Sequence, residues 1–237
     1  MKILAIDTST KFLSIACLEN ENVRSEFHRD VGIKHSELLI PEIKSMLHGL
    51  SWQAEELGLI CVGIGPGSFT GLRIAAVTVK AMAEALGCAV IGVPDMDAVI
   101  LNLPPEALAA SRKKLAAPFL DARKGKVYTC IYDLSGPGRE KVTDYLLVPA
   151  SEFLSGLKEN EVLFFGDAVE KYKKELNECR LARVLEIDWY PRAADVGRIG
   201  FKRSARGTDD PEDIEPLYLH ARDCSITQSA KRKEHRV

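Results

Sequence analysis

Residues 63–73 read GIGPGSFTGLR, a glycine-rich turn between an apolar run, LGLICVGI at 57–64, and an alanine-rich one. Such a turn can hold an anion. Glycines let backbone N–H groups come close, and the unbonded N–H groups of a following helix point at a phosphate. Gly65 and Gly67 flank Pro66, and Ser68 or Thr70 can cap the helix. A helix cap with tight strand–helix packing and no ligand is an equally good reading, because both rest on the same geometry. A second such place follows Asp7, where Thr8, Ser9 and Thr10 gather hydroxyls and amides at a hairpin tip. There the plainer reading is a polar turn bonding its own backbone.

Familiar phosphate and nucleophile motifs do not fit. A P-loop needs Lys followed by Ser or Thr after its last glycine, and Gly71 is followed by Leu72 and Arg73. A dinucleotide fingerprint needs a third glycine where Ser68 stands after Gly63 and Gly65. Ser68 also lacks the Gly-x-Ser-x-Gly elbow of a hydrolase. The six cysteines, at 17, 61, 88, 130, 179 and 224, form no C-x-x-C pair, which suits reduced thiols better than a zinc site or a disulfide framework. The five histidines, at 28, 35, 48, 220 and 235, show no i, i+4 pairing for a metal.

The elements that must carry these turns follow from periodicity. Residues 2–7, 12–18 and 23–28 read as an antiparallel meander. Leu39, Ile43, Met46, Leu47 and Leu50 make a helical stripe over 35–50, with Pro41 expected to kink it. Strand 57–64, helix 69–86, strand 89–93 and a helix from Pro94 to Leu103 complete a first lobe. A second lobe repeats the order: strands 117–121, 126–133 and 142–148, helix 151–157, strand 162–165, helix 168–178, strand 182–187 and helix 191–206. Three antiparallel strands followed by alternating helices and strands, twice, predict a duplicated α/β lobe. We expect residues 1–103 as the N-terminal lobe, 104–114 as a linker, 115–220 as the C-terminal lobe and 221–237 as a flexible tail.

Composition bounds the partners. The chain is 46% hydrophobic and 28% charged, as in an ordinary globular protein, and its net charge of −2 excludes a globally basic nucleic-acid binder. Residues 1–110 carry 8 basic and 13 acidic side chains and 111–237 carry 24 and 21, so the lobes differ in sign. The basic cluster Lys231, Arg232, Lys233 and Arg236 fits a solvated terminus better than a tRNA contact. No run approaches a transmembrane helix, and the start MKILAIDTST is no secretory signal, so a cytoplasmic location is expected. Helix 69–86 has few strongly polar positions (Arg73, Lys80, Glu84), so it must be covered on two sides, by the sheet and by a neighbouring helix or a second chain.

AIDTST at 5–10, KHSELLIP at 34–41, GIGPGSFTGLR at 63–73, LDARKGKVY at 120–128 and PLYLHARD at 216–223 together resemble the TsaB/YeaZ family over nearly the whole chain. The resemblance implies two RNase-H-like lobes of the actin-like, sugar-kinase-like ATPase (ASKHA) superfamily, each with a mixed five-stranded sheet flanked by helices. It implies a non-catalytic subunit for N6-threonylcarbamoyladenosine at position 37 of tRNA, which binds and activates the catalytic paralogue TsaD beside the ATPase TsaE. Where TsaD-like proteins place a metal-binding H-x-x-x-H, this chain has Asp95 and Val99, which cannot rebuild a two-histidine site. No catalytic residue and no metal are therefore expected.

Asp7, Thr8, Ser9, Thr10, Gly65, Gly67 and Ser68 stand where related ATPases hold phosphates, and a degenerate site is expected there, with ATP or ADP entering weakly or at a complex interface. His35, Leu39, Ile43, Met46, Leu72, Ala76, Val79 and Ala83 are expected to form the surface that meets TsaD, or a second copy in a homodimer; tRNA contact would be indirect. Asp121 and Arg123 could form an interlobe ion pair. An independent ATP-binding protein or weak ATPase is the alternative function, and a peptidase is less well supported.

Overall fold

A computed structural model describes residues 1–104, 115–136, 139–158 and 160–219. Apart from Pro104, the expected linker lies outside these residues, as do the expected tail and its basic cluster. The first sheet contains β1 (Lys2–Asp7), β2 (Phe12–Glu19), β3 (Asn22–Asp30), β4 (Leu57–Gly63) and β5 (Ala89–Val93), in the order β3-β2-β1-β4-β5. β1 to β3 pair antiparallel, while β4 and β5 join parallel to β1 through helices α1 (His35–Gly49) and α2 (Phe69–Leu86). The short α3 (Asp95–Val99) follows β5.

Period-2 alternation sends the strand side chains to two cores. Leu4, Ile6, Leu13, Ile15 and Val62 pack with Leu39, Ile43, Ala75, Val79 and Ala83 of α1 and α2. Ile3, Ala5, Ala16, Leu18, Cys61 and Val93 face the other way. That second face is covered by Ala193, Ala194 and Val196 of the last helix, which we label α7 (Ala193–Ser204).

The expected boundary of the C-terminal lobe is corrected on this point. The first compact unit joins Met1–Leu101 to Tyr190–Leu217, and the second joins Asn102–Trp189 to the described residues from Tyr218. The reason is burial: α1 and α2 lie on one face of the first sheet only, and the other would be bare without α7. The chain beyond α7 also covers the free edge of β5. Asp209 donates its N–H to Val90 at 2.9 Å and accepts the Gly92 N–H at 2.9 Å, which removes an open sheet edge.

The second unit repeats the plan. β6 (Leu115–Asp121), β7 (Lys126–Thr129), β10 (Leu146–Pro149), β11 (Val162–Phe165) and β12 (Ala182–Val184) run in the order β10-β7-β6-β11-β12, the same pattern of three antiparallel and two parallel strands. Helices α4 (Ala150–Ser155), α5 (Ala168–Lys171) and α6 (Lys173–Glu178) pack beside it, and Phe119, Phe164 and Tyr172 form its aromatic centre.

Local differences from the predicted elements have local causes. The strand expected over 126–133 divides into β7 and β8 (Tyr132–Asp133), because Ile131 between them gives its N–H to Thr143 Oγ1 at 3.0 Å and accepts the Val142 N–H at 2.8 Å. Two-residue β9 (Glu140–Lys141) pairs with β8, so the strand expected over 142–148 begins only at Leu146. The helix expected over 168–178 breaks at Tyr172, whose φ of −109° and ψ of 25° leave the helical range. The strand expected over 182–187 ends at Val184.

α7 lies close on its sheet because it presents two glycines. A Cβ on Gly197 would come within 2.6 Å of Leu18 Cδ1, and one on Gly200 would press into the Cys61 side chain. Gly200→Leu should therefore lower stability by about 1–3 kcal/mol through overpacking, although leucine is the better helix former. Urea unfolding of the two proteins measures it; equal midpoints would show that α7 does not pack this tightly.

Candidate functional site

The glycine-rich turn and the hairpin after Asp7 meet at one end of the first sheet. β1 and β4 are parallel neighbours, so the loops that leave their C-terminal ends come together. Ser68 is the N-cap of α2, and its Oγ accepts the Gly71 N–H at 3.3 Å. The Ser68 N–H donates to the Ser9 carbonyl at 2.6 Å, and the Thr8 hydroxyl donates to the Gly71 carbonyl at 2.8 Å. Asp7 Oδ1 accepts the Ser9 N–H at 3.1 Å and the Ser9 hydroxyl at 3.0 Å.

This arrangement brings together Asp7, Thr8, Ser9, Gly65, Gly67 and Ser68, as the sequence led us to expect, and shows what the glycines do. A Cβ on Gly67 would strike the Ser9 backbone and Cβ, and one on Gly71 would strike the Thr8 carbonyl. The two loops therefore press backbone to backbone, with Asp7, Thr8 and Ser9 buried beneath. Thr10 is half-buried and turns away, its Oγ1 accepting the Phe12 N–H at 3.2 Å. The Ser68, Gly71 and Ser9 amides that an anion would need already serve the protein itself.

Asp95, the first residue of α3, lies against the same place. It is fully buried, and its N–H donates to the Gly65 carbonyl at 2.8 Å. Burial pushes the Asp7 carboxyl up to about 6 against the downward pull of Ser9. Burial, with the Asp7 charge added, pushes Asp95 well above the usual carboxylate range. Val99 is buried one turn further on. Among the described residues no three His, Cys, Asp or Glu side chains are grouped to hold a metal ion, and no helix is long and apolar enough to cross a membrane.

The expected partner surface is corrected. Leu39, Ile43, Met46, Ala76, Val79 and Ala83 belong to the core of the first unit, Leu72 is buried beneath Gly65, and His35 is buried with Nε2 3.2 Å from the Phe12 carbonyl. Their apolar faces meet the sheet and each other, so none can form the centre of an external contact. The outward face of α2 is a different stripe: Phe69, Arg73, Val77, Ala81 and Ala85 are exposed at i, i+4 spacing. Phe69 is 53% exposed and Val77 67%, and the Arg73 guanidinium lies 3.8 Å over the Phe69 ring. That spacing was present in the sequence, but the more apolar inner stripe masked it.

In the second unit, Asp121 ends β6 as Asp7 ends β1. Its ion-pair partner is Lys171 of the same unit at 2.8 Å, while Arg123 only donates its backbone N–H to Asp121 Oδ1, so the expected Asp121–Arg123 pair is corrected. The Asp121 N–H donates to Asp167 Oδ1 at 2.8 Å.

Two sheets of this order, each with two parallel strands added to an antiparallel meander, define a duplicated α/β protein. A family model described as TsaD, tRNA N6-adenosine threonylcarbamoyltransferase, matches residues 20–200. The tRNA threonylcarbamoyladenosine biosynthesis protein TsaB of Bacillus subtilis is 33% identical over 227 residues, covering 92% of this chain and 94% of that protein. The Escherichia coli protein of the same name is 29% identical over 230 residues, with coverage of 92% and 94%. The solved structure of YeaZ from Pseudomonas aeruginosa superposes with a TM-score of 0.76 at 26% identity, covering 92% of this chain and 99% of that one. The chain belongs to the TsaB/YeaZ family.

The loop contact makes a prediction of opposite sign to helix propensity. Gly71→Ala should destabilise the protein by about 1–3 kcal/mol, although alanine is favoured over glycine in a helix by about 1 kcal/mol. Thermal unfolding tests it; a stabilised variant would mean that α2 and the hairpin are not in backbone contact.

Proposed function

We propose that this chain is a cytoplasmic, non-catalytic subunit for N6-threonylcarbamoyladenosine formation at position 37 of tRNA, and that it works by docking on a TsaD-type catalytic partner. Membership of the TsaB/YeaZ family supports the pathway. The observation that carries the docking role is the outward stripe of α2, where Phe69 and Val77 are largely exposed among small residues that allow a second helix to approach closely. Burying a side chain of the size of Val77 favours association by about 1.5–3 kcal/mol, enough to make it an anchor. Free of TsaD, the same stripe pairs two copies of this chain. TsaE joins through TsaD, tRNA is held by the partner, and nucleotide binds, where it does, at the joint surface. The closed contact between the hairpin and the glycine-rich loop supports this over an independent ATPase, since the Ser68, Gly71 and Ser9 amides are already engaged.

Val77→Glu places a charge in the dock while leaving the core untouched. It should keep the wild-type unfolding midpoint, lose co-purification with TsaD, and fail to restore the modified nucleoside in cells lacking this chain. Ala83→Glu should instead lose the fold, because Ala83 is 3% exposed in the core. Full TsaD capture by folded Val77→Glu protein would sink the interface, and normal modification in cells lacking the chain would sink the pathway role.

A further inference from the structure

We infer that Asp7 and Asp95 share one proton, and that this proton closes a ring of contacts holding the glycine-rich loop against the hairpin at the start of α2. The inference begins with oxygen atoms that have no partner. Among the described residues, Asp7 Oδ2 and both Asp95 carboxyl oxygens are buried without a hydrogen-bond partner of good geometry, although the Ser9 hydroxyl and the Gly65 backbone are near enough to Asp95 to lower its proton affinity somewhat. Asp7 Oδ2 and Asp95 Oδ1 converge over the bare α-carbon of Gly63, where a Cβ would overlap both. Two carboxylates are both acceptors, so at this separation they repel unless one carries a proton. A single proton turns the repulsion into an O–H···O⁻ hydrogen bond, among the stronger kinds a protein makes.

The charges around the pair leave this as the available solution. From the hairpin, Ser9 serves Asp7 Oδ1 and not Oδ2, and its hydroxyl also lowers the proton affinity of Asp95, though by less than burial raises it. From β2, the Ser14 hydroxyl accepts the Ala193 N–H at 2.8 Å. From α1, the His35 imidazole acts on Asp7 only as a distant charge that lowers its proton affinity, the smallest of the influences on it. From α7, packed on both β1 and α3, Arg198 is held by Asp195 at 2.8 Å. Asp97, on α3 itself, is half-buried. β4 contributes the side-chain-less Gly63. Burial raises both carboxyls, Asp7 to about 6 and Asp95 further.

The ring then runs through contacts already described. Asp95 holds the Gly65 carbonyl by its N–H, the loop from Gly65 leads to Ser68, Ser68 holds the Ser9 carbonyl, Ser9 holds Asp7 Oδ1, and the proton joins Asp7 to Asp95. The sign of the pH dependence follows. Both carboxyls bind protons more tightly folded than unfolded, so their contribution to stability is complete below about pH 4 and declines as pH rises. Asp7 gives up its proton at about 6, which leaves the single proton shared with Asp95, and the ring opens when that last proton leaves at higher pH. Alkaline pH should loosen the loop before it unfolds the lobe, because the surrounding cores are apolar and do not titrate.

Asp95→Asn is the test, since an amide N–H can donate to Asp7 without needing the proton. Relative to Asp95→Asn, the wild-type folding equilibrium constant should fall by about tenfold or more between about pH 5 and about pH 8. Amide exchange at Ser68, Gly71 and Leu72 should rise, beyond its intrinsic pH dependence, once the last proton leaves at alkaline pH in the wild type and not in the variant. Parallel pH profiles would overturn the inference. Should the variant not fold, NMR titration of the wild-type aspartate carboxyl carbons decides alone: one of the two buried carboxyls still neutral at about pH 7 supports the shared proton, and both titrating below about pH 5 refute it.

Discussion

The first unit depends on one close approach, the backbone of the hairpin after β1 resting on the first turn of α2. It permits no side chain between them at Gly67 or Gly71; the hairpin takes up the Ser68 N–H and the Ser68 hydroxyl takes up that of Gly71. From it follow the direction of α2 over the sheet, the burial of Ala75, Ala76, Val79 and Ala83 inward, and the exposure of Phe69 and Val77 outward. A glycine-rich loop of this kind is commonly read as a phosphate cradle. Here the Ser68 and Gly71 amides are turned to the protein's own carbonyl and hydroxyl oxygens, so the loop serves as a joint.

Chemistry and packing are coupled at that joint. Asp7 and Asp95 sit where charge is costly, and among the described residues no cationic side chain forms an ion pair with either, so burial favours their protonated forms. Asp121 shows the contrast: it ends the equivalent strand of the second unit, lies nearer solvent and meets Lys171 in an ordinary ion pair. The same position in two copies of one topology thus holds either a buried acid pair or an exposed salt bridge, depending on burial and on the neighbour supplied by the next helix.

Much of the fold was legible because its signals are local. β1, β11, α2 and β5 lie where alternation, apolar runs and the Ser68 cap put them, and the order of strands and helices revealed the duplication. The misses required partners distant in sequence. Nothing within 191–206 says that α7 returns to the first sheet; that depends on an uncovered face made by strands more than 100 residues earlier. The broken strand at Ile131 depends on Thr143, and the boundary of the second lobe moved with α7.

The sequence by itself determined the duplicated α/β plan, the glycine-rich turn, the aspartate that ends β1 and the presence of Asp95 and Val99 one turn apart, since these are matters of residue type and spacing. It could not decide which side of an almost wholly apolar helix faces outward: Ala76 and Ala81 are alike in composition, yet Ala76 is buried and Ala81 exposed. Only the tertiary structure decided that, together with the closing of the loop and the meeting of Asp7 with Asp95. Each depends on how near two backbones come, and distance across the fold is set by the packing of the whole sheet and its helices.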